Sequence, residues 1–278
     1  MKNTKENAEK IREIKAKQEE KGRLLNLRGI KLVIAYDGTG YAGWQVQDNA
    51  RTVQGEIEKV NEKIFGKPVR ILGSGRTDAG VHSEGQVAMM QVETNIEVKN
   101  LPLIYNTKLP KDIVVLEAEE VPVSFHPIED VTSKAYEYRI LNSDFRDVKE
   151  RNYSYFIPRK LDVKKMKKAA KYFVGTHDFA GFAQAGITTS DTIRTIYSLK
   201  VSKDRKGMIT IRVCGNGFLH NMVRIIAGTL IFVGQGTIDV KDIPGIIASK
   251  DRSKAGLTAP AMGLTMKEVR YNEKRIKK

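Results

Sequence analysis

A glycine-rich stretch of the chain presents one aspartate between two strand-like segments. Residues 73–82 read GSGRTDAGVH, and the segments at 68–72 and 85–92 are each typical of a strand, so the stretch is predicted to be a loop between strands. Glycine gives the backbone conformations that are closed to other residues and lets a ligand approach closely. Asp78 is therefore displayed rather than packed, which makes it our candidate catalytic group.

Two simpler interpretations stand beside the catalytic one. In an ordinary turn, Asp78 would bond to its own backbone, as turn aspartates often do. A phosphate-binding loop is disfavoured by the spacing, because no Gly-Lys-Ser/Thr follows and Asp78 stands where a dinucleotide fingerprint has its third glycine. A carboxylate at that place would repel phosphate.

Two further segments contain side chains suited to a catalytic or binding site. Tyr136 and Tyr138 lie on one face of a strand predicted at 134–140, since strand side chains alternate. Arg224 interrupts an apolar run at 218–228, which is predicted to open a long helix with His220 and Asn221 in its first turn. A buried guanidinium is costly unless an acidic partner pairs with it. Alternatively, the aliphatic part of the side chain lies along the apolar surface and the guanidinium reaches solvent. The residues alone leave both alternatives open for Arg224.

The composition indicates a polyanionic partner. The chain has 278 residues, a formal net charge of +15, a hydrophobic content of 41% and a pI near 9.7. This charge favours nucleic acid over a membrane, because no long apolar run exists. The single cysteine excludes a disulfide framework and the four histidines lack ligand spacing, so neither a metal nor a cofactor is expected. The charged N-terminus lacks the apolar stretch of a secretory signal, so we expect a cytoplasmic protein.

The rest of the chain predicts helices and strands in mixed order. Helices are predicted at 52–66, 98–105 and 162–175. A strand is predicted at 30–36, residues 109–115 lead into another strand, and a hairpin is predicted at 193–214. Hairpins without regular βαβ repeats indicate an α+β fold. We interpret Trp44 as a core anchor for its glycine-rich turn, and His177 with Asp178 as a helix-end turn.

Residues 1–28 form a charged arm in which lysine, glutamate and arginine dominate. The arm is either a marginal helix or disordered. Its lysines and arginines either contact RNA or belong to a solvated tail, and the sequence leaves both open.

Five motifs resemble, in the right order, those of the TruA family of tRNA pseudouridine synthases. Residues 36–45 read YDGTGYAGWQ, and GRTDAGVH at 75–82 with GQV at 85–87 resembles the active-site motif of the family. Later, KAYEY at 134–138, MVR at 222–224 and AGLTAPA at 255–261 are similar to three further motifs. The resemblance extends from about residue 32 to residue 271.

This resemblance implies the pseudouridine synthase fold. That fold is a curved, mainly antiparallel sheet built from two similar subdomains flanked by helices, with a cleft between them. After the arm at 1–28, we expect an N-terminal subdomain with the catalytic loop at 29–133 and a C-terminal subdomain at 134–278. The resemblance also implies a homodimer with tRNA as its partner.

The activity implied is that of an isomerase that converts uridine to pseudouridine without a cofactor, in the tRNA anticodon arm at positions 38, 39 and 40. Asp78 would be the nucleophile, Arg224 its ion-pair partner, and Tyr136 the residue that packs against the target base. Arg76, two residues before Asp78, either fills the gap left by the flipped base, holds its phosphate, or braces the loop.

One departure from the family pattern keeps alternatives open. The family often has a basic residue soon after Phe125-His126, whereas residues 127–130 read PIED here. An RNA contact carried there in relatives is therefore in doubt. The alternatives are a paralogue that modifies another RNA and a non-catalytic RNA-binding or RNA-folding protein.

Overall fold

The computed structural model describes residues 2–184 and 191–272, which divide into two compact units. The first unit comprises residues 2–77, 85–131 and 271–272, and the second comprises 78–84, 132–184 and 191–270. Asp78 therefore belongs to the second unit. The predicted boundaries at residues 28 and 133 stay a prediction, and the last six residues of the predicted C-terminal subdomain, 273–278, lie outside the described residues.

The first unit combines strands with helices. Its elements are α1 (Lys2–Leu24), β1 (Arg28–Tyr36), α2 (Val53–Phe65), β2 (Leu72–Gly73), most of β3 (His82–Val92), α3 (Leu101–Asn106) and β4 (Ile113–Val121). The strand order is β4-β1-β3, with β4 antiparallel to β1 and β2 antiparallel to β3. The charged arm is thus a helix over most of its length.

Helix α2 forms where its apolar spacing predicts it. Val53, Ile57 and Val60 recur at helical intervals and are buried in the core of the unit. Thr52 caps the helix by accepting the N–H of Gly55, and Gly66 ends it in the left-handed region at φ 68°.

The strand predicted at 68–72 is mostly wrong, because only Leu72 of that segment lies in a strand. Side chains of α2 make hydrogen bonds to the backbone of this segment that a neighbouring strand would otherwise make. The Asn61 amide donates to the carbonyl of Val69 at 2.7 Å, and the Glu58 carboxylate accepts the N–H of Ile71 at 3.1 Å. Val69 and Ile71 are therefore held in the core although the segment does not pair as a strand before Leu72.

The second unit contains the remaining strands and helices. Its elements after the first residues of β3 are β5 (Val131–Leu141), β6 (Tyr155–Phe156), α4 (Val163–Ala170), β7 (Gly175–Asp178), β8 (Ile193–Lys203), β9 (Met208–Gly215), α5 (Met222–Gln235), α6 (Ile243–Ser249) and β10 (Leu264–Tyr271). The order is β3-β10-β5-β9-β8-β7, parallel between β3 and β10 and antiparallel from β5 to β7. The predicted hairpin and the α+β class are confirmed. No described helix is both long and apolar enough to cross a bilayer.

Two predicted helix boundaries in this unit are wrong. The helix predicted at 162–175 ends at Ala170, and a 3-10 turn at Lys171–Phe173 follows it. Residues 175–178 then form strand β7, because their backbone pairs with β8, so His177 and Asp178 do not form a helix-end turn. The long apolar helix begins at Met222 rather than at residue 218, because Asn221 adopts a left-handed conformation at φ 62°.

A close approach seats the segment 255–261 against helix α5. A Cβ atom on Gly228 would lie 1.9 Å from the carbonyl oxygen of Leu257, and one on Gly256 would lie 2.4 Å from the backbone nitrogen of Thr229. Glycine is required at both positions because any side chain would collide with backbone. The two backbones therefore touch, which fixes this segment beside the first turns of α5.

Candidate active site

The first half of the glycine-rich loop is anchored in the core of the first unit. Gly73 lies against the Trp44 indole, since a Cβ atom on it would be 2.5 Å from Nε1. The backbone N–H of Trp44 donates to the carbonyl of Thr77, and the Thr77 hydroxyl bonds to that of Tyr36 at 2.8 Å. Trp44 is only 1% exposed, so it is the core anchor predicted from the sequence.

The second half of the loop turns sharply and presents the Asp78 carboxylate. The Asp78 carbonyl accepts the N–H of Val81 at 3.1 Å, and Gly80 adopts a positive φ of 78°. The Asp78 side chain is 30% exposed. Its Oδ2 accepts from Nη1 of Arg224 at 2.9 Å, and its Oδ1 lies 3.2 Å from Nε2 of His220. Each carboxylate oxygen therefore has its own partner on another element.

Arg224 does not extend to solvent. Its side chain is 17% exposed and makes three hydrogen bonds. Nε donates to the carbonyl of Ala259 at 2.7 Å, while Nη1 donates to Oδ1 of Asn221 at 2.7 Å as well as to Asp78. The guanidinium thus joins the start of α5, the segment 255–261 and the carboxylate of Asp78. The partner expected for Arg224 is the partner that the structure gives it.

The short segment before α5 contains a contact that sequence reasoning missed. His220 was assigned to the first turn of the helix, but the residue precedes the helix and its ring meets Asp78. Asn221, in its left-handed conformation, donates through Nδ2 to Oε1 of Gln184 at 3.0 Å and accepts from Arg224. The sequence carries one signal of this contact, the polar pair His220-Asn221 between two apolar residues. The periodicity of apolar residues alone places that pair inside the helix.

Tyr136 is nearly buried, at 9% exposure, on the face of β5 that also carries Tyr138. Its ring meets that of Phe218 edge to face, with centroids 5.2 Å apart. The Tyr138 hydroxyl donates to the carbonyl of Pro260 at 2.8 Å, and burial raises the pKa of Tyr138 well above its ordinary value. Arg224 donates to the neighbouring carbonyl, that of Ala259. Tyr138 and Arg224 therefore bind adjacent carbonyls of the segment 255–261.

Arg76 differs from these residues because its side chain is exposed. It makes no hydrogen bond or ion pair with any residue that the structure describes, which argues against a bracing role. Within residues 2–184 and 191–272, no three side chains of the metal-ligating types cluster as a metal site would require.

Comparison with known proteins assigns the chain to a family. The family profile described as tRNA pseudouridine synthase matches residues 32–128 and 169–272. The chain belongs to this family. It is 47% identical over 245 residues to tRNA pseudouridine synthase A of Ruminiclostridium cellulolyticum, and 45% to that of Thermoanaerobacter sp. strain X514. Each alignment covers 88% of this chain and 100% of the relative.

Membership in the pseudouridine synthase family confirms the predicted TruA resemblance, the fold class and the isomerase class. A solved H/ACA ribonucleoprotein bound to a substrate RNA covers 86% of the chain at 12% identity and a TM-score of 0.33, a likeness too low to bear on function. The family match begins at residue 32, so helix α1 lies outside it.

Proposed function

We propose that this chain converts uridine to pseudouridine in the tRNA anticodon arm, at positions 38, 39 and 40, with Asp78 as the nucleophile. The single observation that carries the proposal is the Asp78 carboxylate, which is partly exposed on a glycine-rich loop and held by Arg224 at 2.9 Å. The relatives, named tRNA pseudouridine synthase A, support tRNA as the substrate.

The reaction breaks the N1–C1′ bond of uridine and forms a C5–C1′ bond, with no net oxidation. Asp78 serves the first step, either by attacking C1′ or by assisting glycal formation. The hydrogen bond from Arg224 orients the carboxylate. Because the pair is held by further bonds to Ala259 and Asn221, its geometry is set before the substrate arrives.

Tyr136 and Arg76 act on the target nucleotide. Tyr136 packs against the target uracil, as the resemblance implies. We infer in addition that it accepts the proton that leaves C5, while N1 gains a proton, so that the product has the same atoms as the substrate. A uridine within a stem must first leave the helix, which costs a few kcal/mol. Arg76 is exposed and so is free to fill the gap or hold the flipped phosphate.

The substrate is read through its shape and backbone more than through base edges, because one pocket serves neighbouring positions. The net charge of +15 supports such a backbone-directed interaction. We further propose that the protein acts as a homodimer in the cytoplasm, with tRNA crossing both subunits.

The test is incubation of the purified protein with an unmodified tRNA transcript and no cofactor. Pseudouridine is then mapped by carbodiimide labelling and primer extension. We expect stops in the anticodon arm with wild type and with Asp239→Asn, an exposed carboxylate variant, but none with Asp78→Asn. Full activity of Asp78→Asn would contradict the assigned nucleophile. Equal tRNA binding by both proteins without any modified base would favour the RNA-binding alternative, and modification of ribosomal fragments alone would favour the paralogue.

A further inference from the structure

We propose that His220 is a positioning residue for Asp78, which holds one carboxylate oxygen while Arg224 holds the other. The proposal rests on the proposed function, because only there does Asp78 act as a nucleophile. Nε2 of His220 lies 3.2 Å from Oδ1 of Asp78, and Nη1 of Arg224 lies 2.9 Å from Oδ2. The ionised carboxylate only accepts hydrogen bonds, so Nε2 carries the proton and donates it.

Two contacts constrain the carboxylate in a way that one contact does not. The terminal torsion of an aspartate is broad, so a carboxylate held at one oxygen still turns about its Cβ–Cγ bond. Donors at both oxygens of Asp78 fix the plane of the group and therefore the direction of its lone pairs. Attack on a sugar carbon depends on that direction, and a misplacement of about 1 Å can cost about 100-fold in rate.

The segment before α5 is built to present both donors at once. The left-handed turn at Asn221 separates His220, before the helix, from Arg224, in its first turn. The carbonyl of His220 accepts the N–H of Gln184 at 3.0 Å, and Asn221 bonds to the side chain of the same glutamine. Two hydrogen bonds to one glutamine therefore hold the segment that bears the imidazole.

The contact of His220 also differs from those of the half-buried His177. The His177 ring bonds to the carbonyl of Val174, three residues earlier, which is a local contact. The His220 ring instead reaches a residue 142 positions away, on the glycine-rich loop. The His220 side chain is 57% exposed, so its removal leaves no cavity in the core, and its replacement tests the contact rather than the fold.

The test compares His220→Ala, His220→Gln and the matched control His177→Ala in steady-state pseudouridine formation on the tRNA transcript. For His220→Ala we expect kcat to fall about 10- to 100-fold, because a hydrogen bond to a charged group is lost, while KM stays within about threefold. His220→Gln regains most of kcat, since its amide N–H can donate to Oδ1. The control keeps the wild-type kcat, and the melting temperatures of the two His220 variants stay near that of wild type.

Four outcomes would overturn the positioning role. These are a wild-type kcat for His220→Ala, a rise in KM alone, no recovery of kcat in His220→Gln, and a parallel loss of rate and melting temperature in both His220 variants. A wild type that forms no pseudouridine, or an active Asp78→Asn, would instead overturn the proposed function itself. The two failures are therefore distinguishable.

Discussion

The sharpest prediction concerns the shape of the Arg224 side chain rather than its charge. Arg224→Lys keeps a cation beside Asp78 but loses the planar fork that reaches three acceptors. An ammonium that stays on Asp78 leaves the carbonyl of Ala259 or Oδ1 of Asn221 without its donor, and both bonds are 2.7 Å long in the native protein. Each hydrogen bond to a charged group contributes about 1.5–3 kcal/mol. We therefore expect the free energy of unfolding to fall by about 1–3 kcal/mol.

The rate should fall as well, because a displaced cation no longer fixes the carboxylate. A loss of about 1.5–3 kcal/mol in the transition state corresponds to a decrease of about 10- to 100-fold in single-turnover rate. Urea unfolding and single-turnover pseudouridine formation measure the two effects. Arg270→Lys is the matched control, because Arg270 pairs with Glu268 at 2.7 Å and both side chains are exposed, at 67% and 48%. A rate for Arg224→Lys within twofold of wild type would refute the reasoning.

Three further predictions follow from packing and titration. Gly228→Ala should cost about 1–3 kcal/mol or more in urea unfolding, because its Cβ atom would lie 1.9 Å from the carbonyl oxygen of Leu257; an unchanged midpoint would contradict this. The hydrogen bond from Lys250 lowers the pKa of Asp178 to about 2. The ionised carboxylate therefore stabilises the folded state above the ordinary carboxyl pKa, and this contribution is lost as the pH falls through 2. Thermal melts of Asp178→Asn should therefore show a smaller loss of stability between pH 4 and 2 than wild type, and identical slopes would count against the pair. Burial lowers the pKa of Lys134 to about 8, so the unfolded chain binds more protons from pH 8 to 10.5 and stability rises there. Lys134→Met should lose that rise in pH-dependent urea unfolding, and its persistence would assign it to other groups.

The parts of the site that the sequence predicted are those that follow from local chemistry. Asp78 is on a loop because glycines flank it, and α2 begins and ends at Thr52 and Gly66 because those residues can cap it. The expected partner of Arg224 came from the family resemblance, because the residues alone left open whether the guanidinium is buried or exposed. The first two inferences need only neighbouring residues, whereas the third needs the family motif.

The parts that were missed depend on backbone conformation and on distant pairing. A left-handed asparagine at residue 221 shortens α5 and places His220 outside it, and no periodicity of apolar residues reports that φ angle. Strand β7 forms because its backbone pairs with β8, although its own sequence, GTHD, has little strand character. Both errors arise where tertiary contacts override local propensity.

The residues after His126, where the chain departs from the family pattern, contact helix α1, which lies outside the family match. Lys15 pairs with Asp130 at 2.6 Å, and the Asp130 side chain is only 9% exposed, so the carboxylate would be costly without that partner. One turn later, Glu19 accepts the backbone N–H of Ser124 at 2.8 Å. Asp130 of the segment that departs from the family pattern is thus paired with a cation from α1. Helix α1 and this acidic segment are therefore joined by one ion pair and one hydrogen bond, so that the carboxylate of Asp130 is already occupied within the protein.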